Sequence, residues 1–295
     1  MPSISIVGIG RVGGALAIAL SRSDFAIDTL VHRDPSIARS IQPHLSSNVK
    51  FATLDGVDRL ESDVVLITTT DPDIRSTALT LADKIKPTAT VLHTSGSLSS
   101  EVLADLRTDE RRIGSLHPLV SISDPITGAD KFTGVYFCVE GDAEAVLTAQ
   151  AIAVALGGQT FSIAPEQKAL YHAAAVTSAG HIVALIDLAI SMLAEAGVDR
   201  DTAKEVLLPL VRSTVSNLET QSPAEALTGS FARADEAAIE RHLKSFKGPL
   251  ADRVRDVYLL LGEHSLDLAE SNGVEPAAVQ RIRETISIAK RKSGC

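Results

Sequence analysis

The stretch from Ser3 to Arg33, SISIVGIGRVGGALAIALSRSDFAIDTLVHR, constrains this chain more than any other. An apolar run around Ile4, Ile6 and Val7 has the β-branched content of a buried strand. It enters Gly8-Ile9-Gly10-Arg11-Val12-Gly13, and Gly14 to Leu20 follow at once as a helix that begins with small residues. A second apolar run, Ile27 to Val31, ends at His32-Arg33. Strand, glycine turn, helix and strand within about 30 residues is the setting that the GxGxxG dinucleotide fingerprint requires. Gly8 permits the tight turn, Gly10 lets the backbone approach a pyrophosphate, and Gly13 lets the helix sit close on the strand. The helix start adds free N–H groups and a positive dipole end, with Arg11 and Val12 inside the same turn.

The tip of the second strand selects the dinucleotide. An NAD site usually places Asp or Glu there for the ribose 2′-hydroxyl, whereas a nearby Arg suits a 2′-phosphate. The tip here reads His32-Arg33-Asp34-Pro35-Ser36. Arg33 can clamp a phosphate and Ser36 can donate to it. Asp34 is better explained as the cap of the helix that Pro35 opens. The reading favours NADP(H) over NAD(H).

Strands and helices alternate after Arg33. Helices are expected from Pro35 to Gln42, Asp71 to Lys86, Ser100 to Arg107 and Asp142 to Leu156. Strands are expected from Val49 to Ala52, Asp63 to Thr70, Ala89 to His93, Ile113 to Leu116, Tyr136 to Glu140 and Gln159 to Ile163. This alternation predicts an α/β domain with a doubly wound, mostly parallel sheet. At Pro165 the pattern becomes helical throughout. The expected organisation is therefore a dinucleotide-binding domain over residues 1–164 and an all-helical substrate and dimerisation domain over residues 165–295. The helix from Gln167 to Ala196 is apolar nearly all round and is expected at the centre of a helical domain or dimer. Its middle, Ala169 to Ile186, has the length of a membrane span. Two histidines, a glycine, Thr177 and Ser178 interrupt it, and no membrane is expected. Later helices are expected from Thr202 to Thr220, Glu236 to Phe246, Leu250 to Asn272 and Pro276 to Lys292.

A formal net charge of −9 argues against nucleic acid or an anionic membrane as partner. Two cysteines, Cys138 and Cys295, are too few for a disulfide or metal framework and fit a reducing cytoplasm. No metal is expected. The N-terminus enters a strand without a signal-type segment, and the end from Lys290 to Cys295 reads as a frayed basic tail.

In a doubly wound sheet, ligands sit beyond the carboxyl ends of the strands. That places Gly8 to Gly13, Thr68 to Asp71, His93 to Ser97 and Ser115 to Pro118 around one cleft. Thr69, Thr70 and Asp71 are expected near a nicotinamide ribose. Ser95 and Gly96 offer a hydroxyl and a bare N–H to nicotinamide or substrate, and His117 is a candidate proton donor. Lys168 and His172 share one helix face at i, i+4, beside the small Ala175 and Ala179. Reducing a carbonyl needs a proton donor at the developing alkoxide, and partial burial lowers a lysine toward that task. His181 is read as structural and Tyr171 as core. In the loop from Leu227 to Asp235, Arg233 is either a clamp for a substrate carboxylate or part of a surface loop whose Asp235 caps the next helix.

With these residues in view, the chain resembles the 6-phosphogluconate dehydrogenase-like superfamily, which pairs a Rossmann domain with a helical C-terminal domain. Within it, the chain is similar to a bacterial family that joins a Rossmann-like domain to a helical domain of unknown function. The carrying motifs are GIGRVGGAL (from Gly8), LHTSGSLSSEVL (from Leu92), GSLHPLVS (from Gly114), KALYHAAAV (from Lys168) and LTGSFARADEAAIERHL (from Leu227). The resemblance implies Lys168 as catalytic, since β-hydroxyacid dehydrogenases place a lysine four residues before an asparagine on this helix. His172 replaces that asparagine here. The His-Pro turn is similar to that of prephenate dehydrogenases, where such a histidine is catalytic, and this points to His117. Gly180 departs from an asparagine expected in close relatives, and Ala232 and Ala234 stand in a loop where glycine is common. The implied activity is NADPH-dependent reduction of a small oxo acid, with ketopantoate (2-dehydropantoate) foremost. A pyrroline-5-carboxylate reductase or prephenate dehydrogenase-like activity, or a non-catalytic NADP(H)-sensing module, stands as the alternative. A homodimer is usual in the superfamily and is expected here.

Overall fold

The computed structural model describes residues 1–248 and 250–292, so Cys295 and the last residues of the basic tail lie outside it. The chain forms two compact units, Met1–His181 and the residues from Ile182 onward.

The first unit is built from β1 (Ser3–Val7), α1 (Arg11–Leu20), β2 (Ala26–His32), α2 (Pro35–Ile41), β3 (Lys50–Thr53), β4 (Val64–Ile67), α3 (Asp71–Leu81), β5 (Thr90–His93), β6 (Arg112–Pro118), α4 (Pro125–Gly128), β7 (Tyr136–Gly141), α5 (Ala143–Ala155), β8 (Gln159–Phe161) and α6 (Lys168–Ser178). The strands form one sheet in the order β3-β2-β1-β4-β5-β6-β7-β8. All neighbours are parallel except β6 and β7. This is the doubly wound α/β fold that the alternation predicts. The crossover direction reverses between β1 and β4, where such sheets open a crevice for ligands.

The apolar runs are continuous because both faces of the sheet are covered. Within β4, Val64 and Leu66 join one buried cluster with Leu16 and Ile18 of α1. Val65 and Ile67 join the other with Ile74 and Ala78 of α3.

Several expected elements differ, and the helix expected from Asp71 to Lys86 ends at Leu81. The strand expected from Asp63 to Thr70 stops at Ile67, because Thr68 turns back on the glycine turn: its N–H donates to the Val7 carbonyl at 2.8 Å and its Oγ1 to the Gly8 carbonyl at 2.6 Å. Ser100–Leu106 winds as a 3-10 helix, its start held by the buried Glu140 carboxylate, which accepts from the Ser100 N–H at 2.7 Å and hydroxyl at 2.9 Å. The long helix breaks at Ala179 (φ −123°, ψ −65°) beside the permissive Gly180, giving α6 and then α7 (Gly180–Glu195).

This long helix, expected at the centre of a helical domain or dimer, is largely uncovered by its own chain. Only Lys168 of α6 and Ile190 of α7 are buried, while Leu170 and Val183 are 70% and 69% exposed. An all-round apolar composition does not say whether the covering surface comes from the same chain. The first unit also runs past residue 164, through α6 to His181, since the first turn of α6 is anchored on the sheet by Lys168.

The second unit is helical throughout its described residues. After α7 it contains α8 (Arg200–Leu218), α9 (Pro223–Ala226), α10 (Gly229–Ala232), α11 (Glu236–Ser245), α12 (Ala251–Ser271) and α13 (Pro276–Lys292). Its core joins Ile239 of α11, Leu259 and Leu266 of α12, and Val279, Ile282 and Ile286 of α13. Asp235 caps α11 by accepting from the Ala238 N–H at 3.0 Å, as its position before the helix predicts.

Candidate active site

The glycine turn has the geometry its sequence requires. Gly8 takes φ +98°, and a Cβ there would stand 2.9 Å from the Thr69 nitrogen. A Cβ on Gly13 would collide with Thr68 Oγ1 and the Gly8 carbonyl, so helix and strand approach as closely as they do only because it is absent. Nothing lies within 4 Å of the place a Cβ would take on Gly10, which leaves that face of the turn open to a ligand. Gly10 caps α1 without a side-chain hydrogen bond, and no acidic residue follows in the first turn. Exposed Arg11 and half-buried Val12 form that turn. Its free N–H groups and dipole end suit a pyrophosphate.

A cleft of about 670 Å³ runs from this turn past the tips of β2, β3 and β4. Gly8, Gly10, Arg33, Thr69 and Thr70 all line it. Two buried polar atoms on its lining residues, His32 Nδ1 and Thr69 Oγ1, have no protein partner among the described residues. Unsatisfied buried polar atoms beside an open anion-binding turn fit a polar ligand such as a dinucleotide. Arg33 is 85% exposed and pairs with Asp73 at 3.2 Å. The hydrogen bond from Thr70, and then that from Arg33, holds the Asp73 carboxyl below its usual range. The exposed pair is weak, so a phosphate can draw the guanidinium away. Asp34 is engaged as expected, capping α2 by accepting from the Ser36 N–H at 2.8 Å.

A second group of residues gathers beyond β5 and β6. Ser115 and His117 alternate onto one face of β6, opposite Glu140 and Cys138 of β7 in register. The first turn of α6 packs over this face. Lys168, only 1% exposed, donates to Ser115 Oγ at 2.8 Å and to the Ser95 carbonyl at 3.1 Å. Burial pulls its pKa down. His117 Nδ1 lies 2.6 Å from the Tyr171 hydroxyl. His172 meets the His117 ring edge to face, with centroids 5.8 Å apart. Gly96 is buried beside the two rings, and a Cβ on it would stand 2.8 Å from His117 Nε2 and collide with His172. The Ser95 hydroxyl holds its own turn, accepting from the Ser97 and Leu98 N–H groups at 3.2 and 3.1 Å. Ser97 Oγ donates to Asp71 at 2.6 Å, which ties the β5 loop to the β4 loop at the edge of the cleft.

The expected residues thus fall into two neighbouring sets within the first unit, one along the cleft and one at Lys168, His117, His172, Ser95 and Gly96. Arg233 belongs to the second unit and is exposed at the end of α10. Sequence reasoning put Ser115 in a cleft loop without a role of its own, read Tyr171 as core and gave Asp73 no part in the site. Ser115 was within reach, being two residues before His117 on an alternating strand, and Tyr171 lies i+3 from Lys168. Arg33 and Asp73 are 40 residues apart, and no local pattern joins them.

Two imidazoles here are kept neutral. Burial and then the Lys168 charge press His93 to about 4 and His117 to about 3, from 6.5. His93 Nδ1 accepts from the Ser95 N–H at 3.1 Å, which places its proton on Nε2. Below 6.5 the unfolded chain binds protons that these rings refuse, so stability is full above that pH and falls as pH drops toward 4. The expected slope is about 1.4 kcal/mol per pH unit for each ring. Denaturant melts from neutral pH to about pH 4 check this, with His93→Gln expected to flatten the dependence.

Residues 2–118 match the Rossmann-like domain, and residues 135–265 match a domain of unknown function (DUF2520). No curated protein matches the chain. A protein of Bacteroides fragilis described as an NADP oxidoreductase is similar in structure, with TM-score 0.74 and 24% identity over 90% of this chain and 98% of that one. A protein of Thermotoga maritima gives 0.71 and 24% over 91% and 99%. The 1-pyrroline-5-carboxylate reductase of Streptococcus pyogenes gives 0.58 and 16% over 98% of each chain. These likenesses are likenesses of fold. The chain thus carries a match to a Rossmann-like domain followed by a match to DUF2520, and its fold is similar to the folds of these solved structures.

Proposed function

We propose that this protein is an NADP(H)-dependent oxidoreductase that reduces a small carboxylate-bearing carbonyl compound, with ketopantoate as the first substrate to test. The observation that carries the reading is the pairing of two sites in one unit. An open, uncapped glycine turn lies beside a cluster of proton-bearing side chains, and the Ser97–Asp71 hydrogen bond ties their loops together. A sensing module would need the first site and has no use for the second.

The residues divide the work. The Gly8 to Gly13 turn and the start of α1 hold the pyrophosphate, Arg33 the 2′-phosphate, and Thr69 and Thr70 the ribose. Bound there, the cofactor supplies a hydride. His117 and His172 beside Gly96 hold the substrate oxygen, and the cluster they form with Lys168 supplies the proton that the alkoxide takes. The uncovered apolar faces of α6 and α7 support pairing with a second copy of the chain.

NADPH oxidation followed against a panel of 2-oxo acids and cyclic imines tests the reading. The cyclic imines are included because of the fold shared with 1-pyrroline-5-carboxylate reductase. Turnover with one or more members is expected, ketopantoate among them. Bound NADPH with no turnover across the panel would contradict catalysis and favour a sensor.

A further inference from the structure

Tyr171 is half-buried, with the Phe161 ring edge-on at a centroid distance of 5.8 Å. Packing does not account for its hydroxyl, which lies 2.6 Å from His117 Nδ1. A phenolic O–H is a stronger donor than an imidazole N–H, and an imidazole nitrogen is a stronger acceptor than a phenol oxygen. Of the two partners of the Tyr171 hydroxyl, the Cys138 sulfur is the weaker acceptor, so Tyr171 donates to Nδ1, which leaves the single proton of a neutral ring on Nε2. Nε2 packs closely against Gly96, where a Cβ would stand 2.8 Å from it.

We infer that Tyr171 is a positioning residue that holds His117 as its neutral Nε2–H tautomer, so that the ring presents an N–H donor beside Gly96 for the oxygen of a carbonyl substrate. The inference rests on the proposed reductase reading of this cluster. It gives His117 a role distinct from that of Lys168: a neutral donor stabilises a developing oxyanion without having to be charged first. Lys168 is held by Ser115 and the Ser95 carbonyl instead. The charged and titratable groups around the ring are Lys168, Tyr171 and His172 from α6, His93 from β5, Asp71 from α3 and Cys138 from β7. Burial and the Lys168 charge oppose an imidazolium there, and burial keeps the Tyr171 phenol protonated.

The test is nitrogen NMR of isotope-labelled histidine in the full chain without cofactor, with His117→Gln assigning the resonances. In the wild type, His117 is expected to show a protonated Nε2 and a bare Nδ1, unchanged from neutral pH to about pH 5. In Tyr171→Phe, the Nδ1–H tautomer is expected to appear and the imidazolium to form at higher pH. A wild-type ring protonated at Nδ1 overturns the inference. So does a Tyr171→Phe protein with wild-type tautomer populations and titration. If that variant does not fold, the wild-type spectrum alone decides. The outcomes separate the two claims: an Nε2–H ring in a protein that oxidises no NADPH counts against the reductase reading, and turnover by a protein with an Nδ1–H ring counts against this inference.

Discussion

Replacing Lys168 with alanine is expected to destabilise the first unit by about 2–5 kcal/mol. The side chain is 1% exposed and donates to Ser115 Oγ and the Ser95 carbonyl, so truncation leaves a cavity and two buried groups short of a partner. A lysine at a helix start normally contributes little, and the large expected effect comes from burial alone. Lys168→Met keeps most of the volume and should recover part of the loss. Turnover on a confirmed substrate should fall by roughly 10²–10⁴-fold in the methionine variant if Lys168 delivers the proton. If the methionine variant keeps wild-type turnover, His117 is the better donor. Either variant removes the charge that opposes protonation of His93 and His117, so both rings should titrate nearer 6.5. Denaturant unfolding, NMR titration and single-turnover rates check these three expectations separately.

Arg33→Asp should weaken NADPH binding by about 10- to 100-fold, from the loss of a charge-assisted contact and new repulsion of the 2′-phosphate. The effect on NADH should be much smaller, because its ribose carries a hydroxyl in place of the phosphate. The fold should be untouched, since Arg33 is exposed and its ion pair is to Asp73 on the rim of the cleft. Fluorescence titration of both dinucleotides into both proteins measures the difference.

The glycine turn and the tip of β2 were largely legible. Gly8, Gly10 and Gly13 sit where a strand–turn–helix pattern must place them, and the end of β2 carries Arg33 by alternation and length alone. What could not be read was long-range. The i, i+4 spacing of Lys168 and His172 shows that they share a helix face, but not that this face lies on β6. The burial of Lys168, its bond to Ser115 and the contact of Tyr171 with His117 follow from that docking, across 53 and 54 residues. The exposure of α6 and α7 was illegible for a related reason. An apolar helix reads the same whether its own chain or another surface covers it. The break at Ala179 had a visible cue in Gly180, which weighed less than the apolar run around it.

The central claim is that the turn from Gly8 to Gly13 and the tip of β2 form a site for NADP(H). Titrating NADPH and NADH separately into the wild-type protein tests it most directly. NADPH binding at least about tenfold tighter than NADH is the predicted result. NADH binding as tightly as NADPH, or neither dinucleotide binding at all, would contradict it.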